Sequence, residues 1–155
     1  MPLYQTTSFV FDSPDRAASL FNLQTFGNVY TRLMNPTTAV FEERMAALEG
    51  GRAGLALATG MAAQMTAILT LLEQGDEIVS ANTLYGGTYS QFEVSFRKLG
   101  INTHFVNPDD PQNFKKALTK KTKMIYAETI GNPLMNVLDI EPIAAIAKNA
   151  GIPLI

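Results

Sequence analysis

Five short apolar runs punctuate the chain after its first fifty residues: AGLALA (53–58), EIVSA (77–81), NTHFV (102–106), KMIYA (123–127) and IPLI (152–155). Between them, over 61–73, 88–99, 111–118 and 140–149, apolar residues recur at helical spacing. Gly75, Gly100 and Gly151 stop three of these stretches, Asp110-Pro111 opens the third, and Asp139 is placed to cap the last. Short apolar runs alternating with helices of this length predict an α/β domain with a largely parallel sheet.

The beginning of the chain has a different rhythm. Residues 1–12 read as extended, Ser13-Pro14 starts a short helix, and a loop runs from Leu23 to Met34. Asn35 then caps a helix with Pro36 in its first position. Val40, Phe41, Met45 and Leu48 recur along it, and Gly50-Gly51 ends it. The predicted organisation is an N-terminal arm over 1–51 and the first, incomplete part of an α/β domain over 52–155. The final IPLI opens an apolar strand at the very end of the sequence, which predicts a truncated domain.

Composition narrows the function classes. The hydrophobic fraction is 46% and the net charge −2. The cations are scattered and form no basic stripe, which argues against nucleic acid. With no cysteine and one histidine, thiolate metal sites and disulfides drop out, and a metal centre is not expected. No apolar run approaches membrane-spanning length, so a cytoplasmic protein is expected.

In open parallel sheets ligands bind beyond the carboxyl ends of the strands. ATGMAAQ follows the first run, with Thr59 as a cap and Gly60 and Met61 opening a helix whose free N–H groups make an anion seat. NTLYGGTY follows the second and places Tyr85 beside two glycines that let something flat approach. ETIGNP follows the fourth, with Glu128 and Asn132 at a turn. An anion seat, an exposed aromatic and polar turn residues together suit an aromatic phosphate ester. Upstream, in GNVYTRLMNPTTAVFEERM (27–45), Arg32 lies two residues past Tyr30 with no carboxylate before Glu42. Its fork suits a phosphate or carboxylate that the local sequence does not supply. Taken singly, each feature also fits a plainer role: a helix cap, a half-buried tyrosine, turn chemistry or a surface arginine.

YTRLMNPT, ATGMAA, LYGGTY and ETIGNP, in this order and spacing, resemble the pyridoxal-phosphate enzymes of cysteine and methionine metabolism over essentially the whole chain. FGNVYTRLMNPTT, LEGG and ETIGNP are most similar to the family's O-acetylhomoserine sulfhydrylase branch. The resemblance implies a fold-type-I transferase large domain, pyridoxal 5'-phosphate as cofactor, and a homo-oligomer, usually a tetramer. It implies γ-replacement on O-acetylhomoserine by sulfide or a thiol, giving homocysteine or methionine. Cystathionine γ-synthase or γ-lyase chemistry and a non-catalytic fragment are the alternatives. A dinucleotide-binding oxidoreductase would need a G-x-G-x-x-G after the first strand, which is missing.

By the same resemblance, Tyr30 and Arg32 bind the cofactor phosphate of a neighbouring protomer, which would explain the arginine without a local anion. Gly60 and Met61 match backbone donors to that phosphate. Tyr85 matches the residue that stacks on the cofactor ring and assists catalysis at the leaving group. Asn132 matches the asparagine near the ring's phenolic oxygen, and Glu128 a recurring active-site glutamate. Two positions depart from the pattern. Gly87 stands where methionine γ-lyases carry cysteine, and Thr59 replaces a serine. The aspartate that pairs with the pyridine nitrogen and the Schiff-base lysine would follow Ile155. None of Lys98, Lys115, Lys116, Lys120, Lys121, Lys123 or Lys148 falls where that lysine is required. The chain alone is therefore expected to be inactive.

Overall fold

Three parallel strands, β1 (Glu77–Ala81), β2 (Asn102–Val106) and β3 (Thr122–Tyr126), form a sheet in the order β2-β1-β3. The computed structural model describes residues 2–155, which divide into two compact units, up to Ala58 and from Thr59 to Ile155.

In the first unit, helix α1 (Pro14–Phe21) starts where the Ser13 hydroxyl accepts from the Arg16 N–H at 3.1 Å. The extended N-terminal segment pairs with the later loop. Phe9 N–H donates to the Val29 carbonyl at 3.2 Å and Thr31 N–H to the Thr7 carbonyl at 2.9 Å. Asn35 locks this pairing to helix α2 (Pro36–Leu48). Its buried side chain accepts from Thr37 N–H at 2.9 Å and donates to the Tyr4 carbonyl at 2.9 Å. The predicted periodicity of α2 is present, but its apolar residues stay open: Phe41 and Leu48 are exposed.

AGLALA (53–58) departs from the expected strand. It forms no strand and no bridge among the described residues, and Leu55 is exposed. A ladder needs a neighbour at its own edge, and local composition cannot supply one. Instead the Ala56 N–H donates to Glu42 Oε1 at 2.8 Å, and Gly54 lies so close to the Glu42 carbonyl that a Cβ would stand 2.8 Å from its oxygen.

In the second unit the order is α3 (Gly60–Leu71), β1, α4 (Gly86–Ser90), a π-helical segment (Gln91–Phe96), β2, α5 (Gln112–Ala117), β3 and α6 (Ile140–Ala150). β1 is central and buried through Ile78, Val79, Ser80 and Ala81. Side chains alternate between the faces of a strand, so both of its faces are covered, as expected for a parallel sheet. The core joins Ile68 of α3 and Leu72 at its C-cap to Phe92, Phe96, Phe114, Met124, Ile125 and Ile143. The closing IPLI run adds one parallel bridge, Ile125 to Leu154, on β3's other side. Gly75, Gly100 and Gly151 have φ of +99°, +80° and +69°, the left-handed turns that the helix stops required.

Two local expectations changed. The helix predicted over 88–99 widens into π geometry at Gln91–Phe96, where both Phe92 and Phe96 are fully buried. Helical spacing alone does not disclose that widening. Asp139 occupies the N-cap position of α6, but its side chain makes no capping bond.

At the start of β1, Glu77 Oε2 accepts from the Thr119 hydroxyl at 2.6 Å and lies 3.1 Å from His104 Nε2. The Thr119 hydrogen bond, with His104 adding to it, holds the Glu77 carboxyl below its ordinary range against the opposing effect of burial. A depressed carboxylate stabilises the fold fully above the unfolded value and loses that contribution as pH falls through the folded one. Glu77→Gln is therefore expected to cost about 1 kcal/mol at neutral pH and to flatten the fall in stability below the ordinary carboxylate range. Urea unfolding as a function of pH checks both.

Candidate active site

The carboxyl ends of β1 and β3 and the start of α3 enclose an open cavity of about 490 Å³. Thr59, Gly60, Met61, Gln64, Tyr85, Thr88, Tyr126 and Glu128 line it. α3 enters through a regular cap: the Thr59 hydroxyl accepts from Ala62 N–H at 3.1 Å, and its carbonyl from Ala63 N–H at 3.0 Å. That leaves the Gly60 and Met61 N–H groups with no partner among the described residues. Space above Gly60 is open, with nothing within 4 Å of where a Cβ would stand. Two unpaired donors at the positive end of a helix, on a cavity wall, make a seat for an anion.

Tyr85 stands at the N-cap of α4, with 55% of its surface exposed. Its backbone N–H donates to both oxygens of the Glu128 carboxylate, at 2.9 and 3.1 Å. Glu128 thus holds the peptide of Tyr85 and so the root of its ring. The two adjacent glycines differ: the space above Gly86 is open, as expected, whereas that above Gly87 is filled. A Cβ on Gly87 would overlap the Tyr85 ring itself, so this glycine makes room for the chain's own aromatic.

Beneath the cavity runs a polar network that sequence reasoning missed. Gln64 Oε1 accepts from the Thr88 hydroxyl at 3.1 Å and from the Tyr126 hydroxyl at 2.9 Å. Gln64 Nε2 donates to Gln91 Oε1 at 2.6 Å, at the first residue of the π-helical segment. Burial, reinforced by the Glu128 charge, raises the Tyr126 phenol above its ordinary value. It stays a neutral donor at physiological pH. The only local signal for Gln64 was a lone amide amid the mostly apolar side chains of GMAAQMTAILTL.

Of the residues singled out from sequence, Gly60, Met61, Tyr85 and Glu128 come together on this cavity. Asn132 does not line it. It is exposed in the turn after β3, where Ile130 and Val137 bridge and Gly131 N–H donates to the Asn136 carbonyl at 2.8 Å. Tyr30 and Arg32 belong to the first unit. There the Arg32 guanidinium lies 5.2 Å from the Tyr30 ring centroid, exposed and without an ion pair among the described residues.

The chain is 57% identical over its full length to O-acetyl-L-homoserine sulfhydrylase of Leptospira meyeri and 52% identical to homocysteine/cysteine synthase of Saccharomyces cerevisiae. It spans 35% of the length of each of these curated relatives. Its fold matches a crystal structure described as an O-acetylhomoserine (thiol)-lyase from Campylobacter jejuni, with N'-pyridoxyl-lysine-5'-monophosphate, at a TM-score of 0.94 and 39% identity. That match covers 99% of this chain and 38% of the other. The sequence model of the Cys/Met metabolism PLP-dependent enzymes matches residues 1–155, and the chain belongs to that family.

Proposed function

We propose that this chain is the cofactor-cradling first part of a pyridoxal-phosphate enzyme that replaces the γ-acetoxy group of O-acetylhomoserine with sulfide or a thiol, releasing acetate. The observation that carries the reading is the cavity where two unpaired helix N–H groups face the same space as an exposed aromatic ring. A phosphate at one end and a flat ring at the other is the ligand such a wall fits. Gly60 and Met61 would donate to the phosphate, and the open space above Gly60 leaves room for it. Tyr85 would stack on the ring, and its hydroxyl would hold or pass a proton near the leaving group. Glu128 keeps the Tyr85 backbone in place for both tasks.

When bound, the cofactor supplies an electron sink for negative charge developing next to the substrate amine. No lysine lines the cavity, so a lysine attached to the cofactor would lie outside this lining. Asn132, exposed on the turn after β3, would approach the ring's phenolic oxygen and the substrate. Residues 1–51 would serve as an arm to a neighbouring protomer and 52–155 as the first part of the cofactor domain. The unpaired Arg32 beside Tyr30 supports that sharing. The assembly would be a homo-oligomer, a tetramer in the family's usual form, working in the cytoplasm.

The test is product analysis with the complete enzyme. O-acetylhomoserine and sulfide should give homocysteine with equimolar acetate, and sulfide should outcompete cysteine. Preferential formation of cystathionine would replace this reading with the γ-synthase one.

A further inference from the structure

We propose that Gln64 is a positioning residue that fixes the spacing between the anion seat and the aromatic platform. This role presupposes the cofactor reading above. Gln64 lies on α3 one turn past Gly60, so it moves with the seat. Its carbonyl oxygen accepts hydrogen bonds from two hydroxyls. Thr88 lies in α4 three residues after Tyr85, and Tyr126 lies on β3 two residues before Glu128, which holds the Tyr85 backbone. Both supports of the platform are thereby tied to one side chain of the seat. The amide nitrogen, bonded to Gln91, fixes which way the carbonyl points and anchors the group to the π-helical segment.

The partners come from elements far apart in sequence, and Thr88 is buried. An unsatisfied buried hydroxyl is costly, so the network has one favoured arrangement. A ligand that touches seat and platform at once gains from their being held at the right separation. A ligand that touches the seat alone gains nothing from it. That difference separates a positioning role from a merely structural one.

The experiment titrates the cofactor-free form of the complete enzyme with pyridoxal 5'-phosphate and, separately, with inorganic phosphate. Wild type is compared with Gln64→Leu and with the double variant Thr88→Val/Tyr126→Phe. The expected result for Gln64→Leu is about a tenfold loss of pyridoxal-phosphate affinity with inorganic phosphate held to within about twofold. The cofactor's visible circular dichroism should weaken in parallel. The double variant should show the same pattern, and adding Gln64→Leu to it should cost nothing further. Unchanged cofactor affinity, or equal losses for both ligands, would overturn the inference. If Gln64→Leu does not fold, the double variant decides by the same two readouts. A wild-type enzyme that does not take up the cofactor would overturn the functional reading itself, an outcome visible before any variant is measured.

Discussion

Arg32→Ala in the complete enzyme is expected to weaken pyridoxal-phosphate binding by about a hundredfold. Arg32 is a full charge with no carboxylate partner among the described residues, and its guanidinium lies 5.2 Å from the Tyr30 ring centroid. Cation–π contact at that distance holds the guanidinium plane while leaving its donors free. A planar fork donating to a phosphate makes short, charge-assisted bonds, roughly twice as strong as neutral ones. Removing one partner of such a pair leaves the other charge poorly compensated, at a cost of about 2–5 kcal/mol. Arg32→Lys keeps the charge and loses the fork, so it should recover only part of the affinity. Equilibrium titration of the cofactor-free enzyme, followed by absorbance, measures all three proteins. An unchanged dissociation constant in Arg32→Ala would remove this residue from the phosphate site.

Gly87→Ala should separate stability from function. Residue 87 lies in α4 with no left-handed backbone to strain, and alanine is the better helix former there by up to about 1 kcal/mol. The added methyl, however, would occupy the space of the Tyr85 ring. That ring is exposed and can swing aside at little cost to the fold. The melting temperature should therefore hold or rise, while kcat/KM for γ-replacement falls by about thirty- to hundredfold because the platform is misplaced. Thermal unfolding and steady-state kinetics on the same preparation check the split. A parallel loss of stability and activity would mean that the backbone, and not the ring, had moved.

These two residues also show what local sequence can and cannot disclose. β1 and β2 were readable because short apolar runs follow Gly75 and Gly100, whose positive φ forces the turn before each strand. Asn35 and Thr59 were readable as caps because the bond each makes lies within its own first turn. AGLALA was equally apolar, but a strand is defined by a neighbour that need not be close in sequence. The glycine at 87 was legible as a space-making residue, whereas the ring it accommodates was not. Gln64 was silent for the same reason as AGLALA. Its partners lie 24, 27 and 62 residues away, and only the fold brings them together.

Subunit complementation tests most directly whether the proposed cofactor site is shared between protomers. Arg32→Ala and Tyr85→Ala protomers of the complete enzyme would be unfolded together, refolded as a mixture and assayed for sulfide-dependent loss of O-acetylhomoserine. If Arg32 serves the cavity of a neighbouring protomer, each mixed pair contains one cavity with an intact Tyr85 and an intact Arg32, and about a quarter of wild-type activity returns. If Arg32 serves its own protomer's cavity or none, every cavity in the mixture stays defective, and activity remains at the level of the two variants refolded alone.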